Sequence, residues 1–249
     1  MKLSIIVPVY NRENYIESCL KALLQIQSDE IEIIIVDDGS IDNSLDLCRG
    51  YEKIDKRINV YHKENGGVSS ARNYGINHSS GEYLMFVDSD DMICVETISD
   101  FIKKKWDKDI YLFDYYMDDG ELSYCRRDLP EEQENENFLL HAFLMLKNNM
   151  IWNNLYKTSV VKTNNILYKE NIKMGEDLLF NLEYANYASN YEYVTQPLYK
   201  YNVETVGSAL KLTRLSYIHD YTQIYNYLLT YYSEKNVNIV LMLFNKTMR

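Results

Sequence analysis

Four short apolar runs, each ending in polar residues and separated by helical stretches, govern what this chain can fold into. Residues 3–9 form a nearly continuous run that closes at Pro8 and Asn11, and residues 31–36 form another that stops at Asp37-Asp38-Gly39-Ser40. Residues 58–62 and 82–87 complete the set. Between them, 14–26, 42–53 and 68–77 read as helices; Ile16, Leu20, Leu23 and Leu24 show the spacing. Strands apolar on both faces belong in a parallel sheet. The β-α-β-α order therefore predicts an α/β fold, with a doubly wound, mostly parallel sheet and helices on both faces. Ligands of such sheets sit beyond the carboxyl ends of the strands, where polar groups become neighbours in space. Here those groups are Tyr10-Asn11, Asp37-Asp38, residues 65–72, and Asp88-Ser89-Asp90-Asp91.

The last group carries the most chemistry. Carboxylates at the end of a buried strand repel one another and lose solvation together. A divalent cation relieves both costs, and hard oxygen ligands suit Mg²⁺ or Mn²⁺. A cation held by one or two carboxylates keeps positions that a diphosphate can fill. An acidic turn capping the following helix would use the same residues, and the cluster alone does not choose between the two.

Composition narrows the classes. A net charge of −11 argues against a global nucleic-acid binder, which needs clustered Lys and Arg, while a local basic patch and peripheral membrane contact stay open. Cys19, Cys48, Cys94 and Cys125 show no CxxC spacing. Cys19 and Cys48 fall on apolar helical faces, so zinc is disfavoured and a reducing cytoplasm is expected. The chain runs into its first strand with no signal peptide ahead of it, and no uncharged run approaches the ~20 residues that span a bilayer. A cytoplasmic protein is expected, with room for association at the inner face of the plasma membrane.

Residues 109–113 read as another strand, 117–121 as a hairpin turn and 129–137 as a polar surface connection. From 138 the chain is helical in character. The expected organisation is a Rossmann-like half over 1–115, a second half of the same domain over 116–210 and a helical segment over 211–249. The apolar run 237–244 is either a helix packed on the core or the stub of a membrane-associating tail. The 24 tyrosines suit sugar stacking or, for most of them, packing.

Ser4-Ile5-Ile6-Val7-Pro8-Val9-Tyr10-Asn11, Val36-Asp37-Asp38-Gly39-Ser40, Gly66-Gly67-Val68-Ser69-Ser70-Ala71-Arg72-Asn73 and Asp88-Ser89-Asp90-Asp91 resemble the successive signatures of glycosyltransferase family 2. The resemblance covers roughly residues 3–100 closely. It resumes at Trp152-Asn153-Asn154-Leu155-Tyr156 and Gly175-Glu176-Asp177-Leu178-Leu179-Phe180. Each motif alone is weak; together, in order, they are specific.

The resemblance implies a GT-A type fold and inverting transfer of a sugar from a nucleotide diphosphate donor. It also implies nucleotide-sugar binding for the half over 1–115 and the acceptor side for the half over 116–210. It places Pro8, Val9, Tyr10, Asp37, Asp38, Arg72, Asp88 and Ser89 in the nucleotide-sugar site. Tyr10 would lie against a flat base, Asp38 would accept from uracil with Asp37 beside it, and Arg72 would reach a phosphate or Asp38. Asp90 is the expected principal ligand of Mn²⁺ or Mg²⁺, with Asp88 or Asp91 assisting. Asp177 is the expected general base, its proton affinity raised by burial beside Glu176. Trp152 is a wall of the acceptor or sugar site, or plain core.

The expected donor is a UDP-sugar, and the acceptor a saccharide or lipid-linked oligosaccharide in cell-surface polysaccharide synthesis. The alternative is a non-catalytic nucleotide-sugar-binding partner subunit. A dinucleotide-dependent oxidoreductase is set aside, because Pro8-Val9-Tyr10-Asn11 stands where its glycines belong. One departure matters: many relatives carry Arg or His before a Gly-Ser pair after the Asp177 helix. Residues 199–208 have neither, and Lys200 is a poor substitute.

Overall fold

The computed structural model describes residues 2–127, 129, 138–144, 149–203, 222–226 and 229. Residues 130–137 of the expected surface connection, the apolar run 237–244 and most of 211–249 lie outside the described residues.

Strand β1 (Leu3–Val9) and strand β2 (Ile31–Asp37) are buried along their whole length and pair in parallel, Leu3 opposite Ile31 through Val9 opposite Asp37. Strand β3 (Ile58–His62) runs parallel beside β2, and β4 (Tyr83–Phe86) parallel on the far side of β1. Helices α1 (Ile16–Leu24), α2 (Ser44–Glu52) and α3 (Val68–His78) connect them. Successive strand side chains point to opposite faces, so one apolar strand feeds two cores. Ile5, Val7, Ile33 and Ile35 pack with α1, α2 and α4 (Val95–Ile102). Ile6, Ile34, Val36 and Phe86 pack on the other face with α3, α5 (Phe138–Leu144) and α7 (Glu176–Ala185). The doubly wound α/β arrangement is thus present.

Close approach of α3 depends on Gly75, where a Cβ would fall 2.4 Å from Ile6 Cγ2. The glycine lets the helix that carries Arg72 lie directly on β1.

The remaining strands are β5 (Met92–Ile93), β6 (Ile110–Asp118), β7 (Leu122–Cys125), β8 (Asn154–Lys157) and β9 (Tyr191–Asn202). The nine-stranded sheet runs β3-β2-β1-β4-β8-β6-β9-β5, with β7 paired to β6. β8 is antiparallel to β4 and β6, and β5 to β9, while β6 and β9 are parallel. The hairpin expected at 117–121 joins β6 to β7, with Gly120 at φ 100°. α6 (Thr158–Thr163) follows β8 directly.

The expectation that the chain is helical from 138 is corrected by β8 and β9. β8 is too short to declare itself. In β9 Tyr191, Tyr193, Tyr199 and Tyr201 share one alternation in the sequence, yet the first two pack on one core and the last two on the other, because the register with β6 shifts on both sides of the Asp114–Pro197 pair. An internal proline also argues against a strand unless a bulge takes it in, as this one does. All four cysteines are free, and Cys19, Cys48 and Cys94 are buried. No helix among the described residues is long and apolar enough to cross a membrane.

Candidate active site

A cavity of about 690 Å³ opens at the carboxyl ends of the parallel strands. Register explains why. Val9, Asp37 and His62 stand in one row, so Tyr10, Asp38 and Lys63 leave the sheet side by side. Phe86 stands opposite Ile6, which brings Asp88 and Ser89 out at the same end. Pro8, Val9, Tyr10, Asp38, Arg72, the whole Asp88–Asp91 turn, Trp152, Glu176 and Asp177 all border this one cavity.

The first two loops are tied together. Asn11, at φ 51°, donates its N–H to Ser40 Oγ at 3.0 Å and accepts from Ile41 N at 2.9 Å. A short polar side chain that bonds locally is what makes a left-handed residue tolerable. Tyr10, just before it, is 45% exposed at the cavity. Asp38 accepts from Lys63 Nζ at 2.6 Å, Gly66 N at 3.0 Å and Gly67 N at 2.7 Å. Its carboxylate therefore holds the glycine turn that starts α3, and its cation is Lys63, not Arg72. Asp37, which the resemblance puts beside Asp38 in the nucleotide-sugar site, lies apart from the cavity. It is fully buried and accepts from His62 Nδ1 at 2.8 Å and Ser40 N at 3.2 Å. It braces the loop after β2 against β3.

Arg72 is the centre of the site. It is 4% exposed, with Nη2 donating to Asp88 Oδ1 at 2.9 Å and Nη1 to Asp177 Oδ1 at 2.9 Å; Glu176 Oε1 lies 3.5 Å from Nη1. One planar fork thus joins the acid turn after β4 to the first turn of α7, 105 positions further from Arg72 along the chain. Its ring of carboxylates outweighs burial and holds the guanidinium well above its ordinary pKa. Burial raises Asp177 well above the ordinary carboxylate range and raises Glu176 too; Arg72 opposes the shift in both, and Asp88 adds to it. Gly175 starts α7 in the left-handed region at φ 82°.

The acid turn divides its labour. Asp88 and Asp90 have side chains 28% and 17% exposed at the cavity, and Arg12 Nε lies 3.5 Å from Asp90. Asp91 was expected to assist at a metal, yet it is 3% exposed and both oxygens are engaged, by Tyr199 Oη at 2.8 Å and Asn202 N at 2.7 Å. Burial, with Asp88 and Asp90 adding, pushes it up to about 8. It anchors the turn. Among the described residues no three His, Cys, Asp or Glu side chains form a self-sufficient metal cage. Two carboxylates on an open cavity fit a hard cation that takes its other ligands from phosphate and water.

Trp152 is 6% exposed and borders the cavity. Its ring is nearly parallel to those of Tyr199, at 4.4 Å, and Tyr201, at 5.5 Å, and meets Tyr115 edge-on at 5.0 Å. It is both wall and core. Behind it, buried Arg127 donates through Nη2 to Asn153 Oδ1 and Asn154 Oδ1, each at 2.6 Å. Tyr199, Tyr201, Lys63 and Arg127 were not singled out from the sequence as site residues. The alternating tyrosines of β9 were the available signal. Lys200, on the opposite side of β9 from Tyr199 and Tyr201, does not border the cavity.

Comparison with known proteins places this geometry. Residues 4–162 match the model described as "Glycosyl transferase family 2". EpsH of Bacillus subtilis (strain 168) is 32% identical over 212 residues, covering 81% of this chain and 60% of its own length. Glycosyltransferase GlyA of Streptococcus pneumoniae serotype 4 is 31% identical over 236 residues, covering 88% of this chain and 33% of its own. The chain therefore spans less than two thirds of either relative. The crystal structure of Staphylococcus aureus TarS 1–349 in complex with UDP superposes with a TM-score of 0.69 at 27% identity, over 82% of this chain and 61% of that one. The α/β fold is the GT-A arrangement of that structure. With the motifs, the shared fold and a family match over more than half its length, the chain belongs to glycosyltransferase family 2.

Proposed function

We propose that this chain moves a sugar from a UDP-sugar to a saccharide or lipid-linked saccharide acceptor, with inversion and with a divalent metal, in cell-surface polysaccharide synthesis. The observation that carries the reading is the Arg72 fork, which holds Asp88 and Asp177 on one cavity at 2.9 Å each. The UDP held by TarS supports the donor, and the TarS name, a poly(ribitol-phosphate) beta-N-acetylglucosaminyltransferase, supports a surface-polymer acceptor.

The residues divide the reaction between them. Tyr10 offers a ring to the base, and the Gly66-Gly67 turn lets the nucleotide approach the positive end of α3. Asp88 and Asp90 would hold the metal, which supplies charge neutralisation for the departing diphosphate. Asp177 takes the proton of the acceptor hydroxyl as its oxygen bonds to the anomeric carbon and the carbon–phosphate oxygen bond breaks. One displacement inverts that carbon. The raised proton affinity of Asp177 makes it a better base than an ordinary carboxylate, and Arg72 orients it.

The test is a panel of UDP- and GDP-sugars with Mn²⁺ or Mg²⁺, reading release of nucleoside diphosphate with and without saccharide acceptors. Metal-dependent release from one UDP-sugar is expected. Failure to bind any nucleotide would overturn the reading. UDP binding with no turnover on any donor–acceptor pair would favour a partner subunit.

A further inference from the structure

Carboxylates at the end of β4 are only as well aimed as the turn that carries them. β4 pairs with β8 at Tyr83 and Leu84 alone, and its side toward β1 ends with Val87 N on Ile6 O at 3.0 Å. Beyond Val87 the turn closes on itself through Asp91 N to Asp88 O at 3.1 Å, a bond that leaves its direction against the sheet unset. β9 sets it. Asp88 N donates to Tyr199 Oη at 2.9 Å, and Tyr199 Oη donates to Asp91 Oδ2 at 2.8 Å. Asn202 N reaches the other oxygen of Asp91 at 2.7 Å.

A single fully buried hydroxyl therefore fastens both ends of the turn, with Asp90 between them. The ring of the same tyrosine lies 4.4 Å from Trp152. Phenylalanine would serve that packing equally; only the hydroxyl serves the turn.

We propose that Tyr199 is a positioning residue whose hydroxyl sets the direction in which Asp88 and Asp90 face a metal-bound diphosphate. The inference rests on the metal-dependent UDP reading above. Its test is calorimetric binding of UDP to wild type and Tyr199→Phe, once with Mn²⁺ and once with EDTA. With Mn²⁺ the variant loses about 10-fold in affinity, the scale of one hydrogen bond to a charged group. With EDTA the two proteins bind alike. An equal loss under both conditions, or no loss with Mn²⁺, overturns the proposal. If Tyr199→Phe fails a thermal-unfolding check, Asn202→Pro removes the second donor to Asp91 with the phenol in place, and the same Mn²⁺-specific loss is required of it. Wild type whose UDP affinity ignores Mn²⁺ sinks the metal reading itself, and this proposal with it, before any variant is compared.

Discussion

Arg72 shows how much one side chain decides here. Its guanidinium lies among Asp88, Glu176 and Asp177, so removing it leaves three carboxylates crowded around an uncompensated hole. Arg72→Met is expected to cost ~3–5 kcal/mol, read by urea denaturation, and Arg72→Lys to recover little, because a point charge cannot bridge both sides. Asp177→Asn should lower kcat by ~10²–10⁴ with UDP affinity kept, whereas Asp90→Ala should lower Mn²⁺-dependent UDP affinity as well. The pH profile follows from the same residue. A base acts ionised, and burial raises Asp177, so kcat/KM should climb with pH through a limb above the ordinary carboxylate range. A limb near the unshifted value of ~3.9 would remove Asp177 from that role.

At the scale of elements, α3 and β9 carry the site from opposite sides. α3 holds Arg72 at its level only because Gly75 lets the helix rest on Ile6. Gly75→Ala should cost ~1–3 kcal/mol by overpacking, visible as a lower denaturant midpoint. The strands and helices of residues 3–87 are legible because each apolar run is short and clearly punctuated, whereas β5 and α4 beyond them carry no such signal. β9 is not legible either. Its pairing with β6 passes through a bulge around Pro197, so tyrosines that share one alternation in the sequence end on different faces of the sheet. With β9 hidden, Tyr199 stands as one tyrosine among many, and nothing local shows that it holds Asp91.

For the whole molecule, the coupling of donor, metal and fold predicts a ligand-linked stability. UDP with Mn²⁺ at 100 times its Kd should stabilise the protein by ~2.7 kcal/mol, measured as a thermal shift that EDTA largely removes. A shift indifferent to EDTA would argue against the metal. Hydrophobic pattern and motif order were enough for the α/β class, the strand ends where ligands gather, and the acidic, glycine-rich and basic groups placed there. Those are properties of short segments, set by hydrophobic period and turn chemistry. The partners those groups take emerge only from the packed fold: Asp38 with Lys63 and the glycine turn, Asp37 with His62, Arg72 with Asp88 and Asp177, and Asp91 with Tyr199. Such pairings join residues from 16 to 108 positions apart, several of them on strands that pair out of sequence order. Hydrogen-bond direction and burial at that range arise from packing, which no local pattern encodes.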